Sequence, residues 1–154
     1  MSVRRLWTIG AGCALALIAL IAAIAAEGDQ LLATVDRPAI LTATPAAALE
    51  STAAGQPPSR VIVHVTAYQP PQKGAIRGVV KVQKPDGSEQ EIGTFGVFPD
   101  TAFKADSSRA RRYSFPLPKE LATGAVKLKV EVVPDKAQGT GEGAQLEVGR
   151  AEIE

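Results

Sequence analysis

Side chains that carry chemistry are scarce in this sequence. It has one histidine, one cysteine and one methionine, and aromatic residues make up only 5% of it. Met1 and Cys13 both lie at or within an apolar N-terminal run, so no thiol or thioether follows Glu27. That excludes disulfides, thiol redox chemistry and thiolate metal ligands from the rest of the chain. His64 has no cysteine or methionine partner with which to build a zinc or copper set. Its strand neighbours are apolar or threonine, so it reads as a packed or hydrogen-bonded strand residue, with contact to a partner as the other reading. The formal net charge of +1 falls short of the wide basic field that nucleic acid requires. The inventory offers no nucleophile with its base and no metal set, so the chain is expected not to be an enzyme and to hold no cofactor or metal.

The N-terminus is the one long apolar run. Residues 6–26 carry no charge and follow Arg4 and Arg5, and about 20 apolar residues suffice to cross a bilayer as a helix. Leu6, Trp7, Leu15, Leu17, Ile18, Leu20, Ile21 and Ile24 would be its anchoring side chains. The Ala23 and Ala25 pair suits a signal-peptide cleavage site, whereas the length of the run favours retention as a signal anchor. With the arginines left inside, both outcomes place everything after Glu27 on the extracytoplasmic, periplasmic side, tethered in one case and secreted in the other. The flanking "SVRRLWT" fits a twin-arginine signal poorly. Cys13 sits too early in the run for a lipoprotein site and reads as a small apolar helix residue.

Residues 27–58 are rich in Ala, Thr, Ser and Pro, with few large side chains to bury, and read as a flexible or extended tether. Two short apolar pieces within them, around Leu31 to Val35 and at Ile40 and Leu41, could add an edge strand or touch a partner.

From residue 59 the hydrophobic period becomes two. "RVIVHVTAY" puts Val61, Val63 and Val65 on one face and Ile62, His64, Thr66 and Tyr68 on the other, the pattern of a central strand. "AIRGVVKVQ" continues with Ile76, Val80 and Val82 in one register. "KPDGS" predicts a hairpin turn, because Pro85 presets φ, Asp86 can bond back to the backbone and Gly87 accepts a positive φ. Tyr113, Phe115 and Leu117 stand at strand spacing ahead of a single helical turn over 119–122. "AVKLKVEVVP" alternates most cleanly, with Val126, Leu128, Val130 and Val132 facing a core and Lys127, Lys129 and Glu131 facing water. A last strand, "LEVGRAEIE", has Gly149 as a candidate bulge. The expected fold is all-β, an antiparallel sandwich or barrel of about six or seven strands over 59–154.

Three polar clusters have bland readings. Asp86, Glu89 and Glu91 lack the spacing of a calcium loop and read as a solvated turn. Arg109, Arg111 and Arg112 form a small basic loop able to meet an acidic surface or a lipid headgroup. The glycines of "GTGEG" do not follow a strand and open a helix, so they do not form a phosphate cradle.

"EIGTFGVFPDTAF" gathers three of the four phenylalanines. Phe95 has strand spacing and reads as core, while Phe98, Pro99, Asp100 and Phe103 are candidates for contact with a partner, with burial of all three phenylalanines in the core as the other reading. This stretch, with the strands around it, resembles the C-terminal domain of plant-type polyphenol oxidases, the type 3 copper tyrosinases and catechol oxidases. Gly93, Thr94, Phe95 and Pro99 match that family's Gly-Ser-Phe segment and following proline. "RVIVHVTAY" stands for its opening strand, "FPLPKELATG" for its Leu-rich turn, "VKLKVEVVP" for its late strand and "LEVGRAEIE" for its ending. The family's Lys-Phe-Asp-Val motif is "RGVV" here, the histidine after its proline is Asp100, and no copper domain lies in the chain. In the family this domain packs on the catalytic domain and shields the copper site. The resemblance therefore implies a non-catalytic accessory or shielding subunit for a separate tyrosinase-like copper oxidase. A structural or scaffold subunit of another envelope membrane complex is the alternative, and a small-ligand module a third reading for which no pocket is recognisable in the sequence.

Overall fold

The computed structural model describes residues 31–46, 60–106, 108–122 and 124–154. The expected membrane or signal helix, with its anchor residues from Leu6 to Ile24, lies outside them. No helix among the described residues is long and apolar enough to cross a membrane.

The described chain is all-β. Nine strands run in order: β1 (Leu32–Thr34), β2 (Ala39–Pro45), β3 (Arg60–Gln69), β4 (Ile76–Gln83), β5 (Glu89–Phe95), β6 (Phe103–Lys104), β7 (Arg111–Pro116), β8 (Val126–Pro134) and β9 (Gln145–Ile153). A single 3-10 turn, Lys119–Leu121, separates β7 from β8 and buries Leu121.

The strands form a sandwich-like, open path, β5-β4-β8-β2-β9-β3-β6, with β1 also on β9 and β7 also on β3. β2 joins the layers. Its residues 39–43 pair antiparallel with β8, and then Thr44 and Pro45 pair parallel with β9. The sheet is therefore mixed where a purely antiparallel one was expected. The strand count over 59–154 is seven, and the two further strands come from the segment read as a tether. Leu32–Thr34 and Ala39–Pro45 are built into the sheet because Ala33, Ala39, Leu41 and Ala43 alternate inward and are almost fully buried. Small alanines fill the space there, so the segment buries a face without the large side chains that signal a strand.

One core lies between the layers. Val80, Val82, Leu128 and Val130 of the first layer meet Val61, Val63, Val65, Leu146, Val148 and Ile153 of the second, all 0–1% exposed. At about 25 cal/mol per Å2 of apolar area, each such side chain contributes about 1.5–3 kcal/mol. The path does not close into a barrel. Its two edges meet through rings instead, with Phe95 of β5 4.2 Å from Tyr113 and 5.9 Å from Phe115 of β7.

Two local devices set the register. In the β4–β5 hairpin Asp86 accepts from the Ser88 backbone N–H and hydroxyl at 2.8 and 2.6 Å, and Gly87 adopts a φ of 83°. On β9, Gly149 is skipped between the Val65–Val148 and His64–Arg150 pairs, and on β3 Thr66 is skipped next. These are opposed bulges. A Cβ on Gly149 would stand 2.5 Å from Thr66 Cγ2, so glycine lets the two strands pass. The shift also reverses the phase of β3. Tyr68 joins the core with Val61, Val63 and Val65, rather than sharing the outer face with Ile62 and His64.

Candidate functional site

Large apolar side chains that remain in water are rare on this surface. Among the described residues only Leu31, at 37%, and Phe98, at 88%, are exposed. Phe98 sits in the β5–β6 connection, residues 96–102, and the way this connection is held explains why the ring stays outside.

Its two ends are anchored in the core. Val97 is buried at 8%, and Phe103, half-buried, packs against the core with its ring 6.4 Å from that of Tyr68. Between these anchors three groups hold the backbone. The Tyr68 hydroxyl donates to Asp100 Oδ1 at 2.5 Å. Arg111, on β7, donates from Nη1 to the Phe98 carbonyl at 2.9 Å and reaches the Pro99 carbonyl at 3.5 Å. The same guanidinium lies 4.0 Å above the centre of the Phe103 ring, a contact worth about 0.5–1 kcal/mol at an exposed site. Burial and the bond to Asp100 push the Tyr68 phenol well above its usual 10.0, so it stays a donor at any physiological pH. An exposed ring on a loop fixed at both ends is presented with little conformational entropy left to lose on contact.

The partner-contact candidates thus divide. Phe98, Pro99 and Asp100 are at the surface, with Phe98 outermost and Asp100 turned to Tyr68. Phe103 lies beneath Arg111 as part of the support. Phe95, at 8%, belongs to the core.

The arginines do not form a free basic patch. Arg109 is paired with Asp106 at 2.9 Å and Arg112 with Glu154 at 2.9 Å, while Arg111 is engaged by the loop carbonyls. Asp86 belongs to its turn and Glu89 pairs with Lys129 at 3.0 Å, so the acidic residues are not gathered into a calcium site. Among the described residues no group of three or more His, Cys, Asp or Glu side chains could hold a metal ion. His64 is 3% exposed on the outer face of β3. Beside the Phe98 loop, an open groove of about 470 Å3 runs over Ala67 between Leu32 and Phe103, edged by Lys104 and Glu147.

Tyr68 and Arg111 are the residues that sequence reasoning missed. Arg111 was visible only as a charge among arginines, and its role follows from β7 pairing with β3 at Val65. Tyr68 was assigned to the wrong face by unbroken alternation. No family model, curated protein or solved structure matches the chain.

Proposed function

We propose that this chain is a non-catalytic accessory module that docks on a protein partner through the braced Phe98 loop. The observation that carries this reading is an aromatic side chain 88% exposed on a loop held by Tyr68 and Arg111. Docking hot spots are enriched in such rigid rings, and truncating one costs about 2 kcal/mol or more. The resemblance to the polyphenol oxidase C-terminal domain supplies the kind of partner, a separate tyrosinase-like type 3 copper oxidase that the module shields or helps to assemble. The uncharged run over 6–26 would hold the pair at the extracytoplasmic face of a membrane, or, if cleaved, release it. The position of His64, enclosed and flanked by arginines, agrees with a role outside catalysis.

The test is a pull-down of the tagged full-length protein in mild detergent, with mass spectrometry and a copper assay of the eluate. A copper-bearing tyrosinase-like protein is expected, retained by the wild type and lost with Phe98→Ser. Recovery of a multi-subunit envelope complex without copper would replace this reading with the scaffold role.

A further inference from the structure

The only histidine in the sequence occupies the middle of β3, and the residues paired with it on both neighbouring strands are arginines. In register with His64 stand Arg112 on β7 and Arg150 on β9, so one cross-strand row reads Arg–His–Arg. His64 Nε2 lies 2.6 Å from Glu152 Oε1 on β9, and the same oxygen takes Arg150 Nη2 at 3.2 Å. Nε2 is buried and, despite this contact, has no formed hydrogen bond. Arg112 is held by Glu154, which also faces Arg60 at 3.6 Å. On the other side of the row Thr66 donates to Glu147 at 3.0 Å. Each carboxylate near His64 therefore already has a partner.

We propose that the Arg112–His64–Arg150 row is an acid-operated latch: an uncharged His64 lets β7 and β9 close on β3, and protonation of His64 loosens β7. An imidazolium formed there would be a third cation in the row, enclosed, and would have to share the one carboxylate of Glu152 with Arg150. Burial first, then Arg150, hold the His64 pKa below its usual 6.5, and the Glu152 contact offsets them only in part. An opened state, with His64 in water, binds the proton more readily than the closed state. The latch is thus fully closed above about pH 6.5 and weakens as the pH falls below it, with the opened population rising by up to about tenfold per pH unit until the closed-state pKa is passed.

The neighbour of Arg112 is Arg111, whose guanidinium braces the Phe98 and Pro99 carbonyls. Loosening β7 would therefore loosen the loop. That consequence for docking rests on the function proposed above, whereas the latch does not.

Amide exchange, followed by mass spectrometry on the full-length protein in mild detergent, tests the latch without any partner. Wild type and His64→Gln are compared at about pH 7.5 and about pH 5, each pair at one pH, so that intrinsic exchange cancels. The expected result is a loss of β7 protection on acidification in the wild type, by up to about tenfold per pH unit below 6.5, and none in His64→Gln. Arg150→Gln, which removes a flanking cation and frees Glu152, should shrink the acid response and raise the pH at which it levels off. An equal response in wild type and His64→Gln, no response in the wild type, or an Arg150→Gln response identical to wild type would overturn the proposal. Since exchange is read on the module alone, failure of the latch and failure of the docking reading are separate results.

Discussion

The outer faces of the two layers carry similar side chains and treat them differently. On the first layer Lys129 bridges Glu89 at 3.0 Å and Glu131 at 3.1 Å, and Lys81 meets Glu131 at 2.7 Å, with all four side chains about a quarter to two-fifths exposed. Lysines alternate with glutamates and water reaches every pair. On the second layer the row from Arg112 to Arg150 encloses His64 at 3% exposure. The partners of Lys129 raise its pKa from an already high 10.5. Glu131 is pushed up by burial, but its bonds to Lys81 and Lys129 outweigh this and leave its pKa below 4.5. Stability from Glu131 is therefore present above that value and lost only in stronger acid. Lys129 and Glu131 therefore keep their charges in mild acid, whereas on the second face His64 is the group able to take up a proton. The arginines of the second layer are no drier than the lysines of the first, with Arg112 56% and Arg150 55% exposed, and what separates the two faces is the one enclosed histidine.

The Phe98 loop belongs to the second layer's edge, where β6 and β7 flank β3, so breaking the tight face should cost more than breaking the solvated one. Gly149→Ala should have the largest effect. Its Cβ would meet Thr66 Cγ2 at 2.5 Å, and overpacking of this kind costs about 1–3 kcal/mol, read as a lower urea midpoint with an unchanged slope. Phe98→Ser should leave that midpoint in place, since the ring touches solvent, and should weaken partner retention by about 30-fold, the equivalent of about 2 kcal/mol. Tyr68→Phe removes one hydrogen bond and leaves Asp100 without its donor. It should lower stability by about 1 kcal/mol and weaken partner retention by less than Phe98→Ser, because Arg111 still holds the loop. Lys129→Met, on the solvated face, should change stability by less than about 1 kcal/mol in either direction, a difference measurable in the same urea titration. If Lys129→Met proved as damaging as Gly149→Ala, the contrast between the two faces would be wrong.

Local chemistry was the legible part of this fold. The "KPDGS" turn is read directly from proline, aspartate and glycine, and the alternation of β8 from Val126 to Val132 matches its burial residue by residue. Gly149 was recognisable as a bulge because a glycine inside an alternating strand has few other uses. The features that depend on pairing were not legible. Thr66 gives no sign that it is skipped, so alternation carried past it puts Tyr68 on the wrong face. Ala39 and Ala43 bury as fully as any valine, yet an Ala/Thr/Pro-rich segment offers at most an edge strand, whereas β2 lies between β8 and β9. The Arg–His–Arg row exists only once β7 and β9 are set in register against β3, since 48 residues, then 38, separate its members along the chain. At the site, the sequence offers Phe98 and Phe103 alike as flanks of "PDTA", and the separation of exposed Phe98 from supporting Phe103 required Arg111, whose position is a property of the sheet.

The most direct measurement is retention of the proposed copper-bearing partner on immobilised full-length protein, with wild type and Phe98→Ser at equal load and their urea midpoints recorded alongside. The account predicts equal midpoints and a retention lower by about 30-fold for Phe98→Ser. Equal midpoints with equal retention would contradict it, and would show that the exposed ring on its braced loop is not where the partner binds.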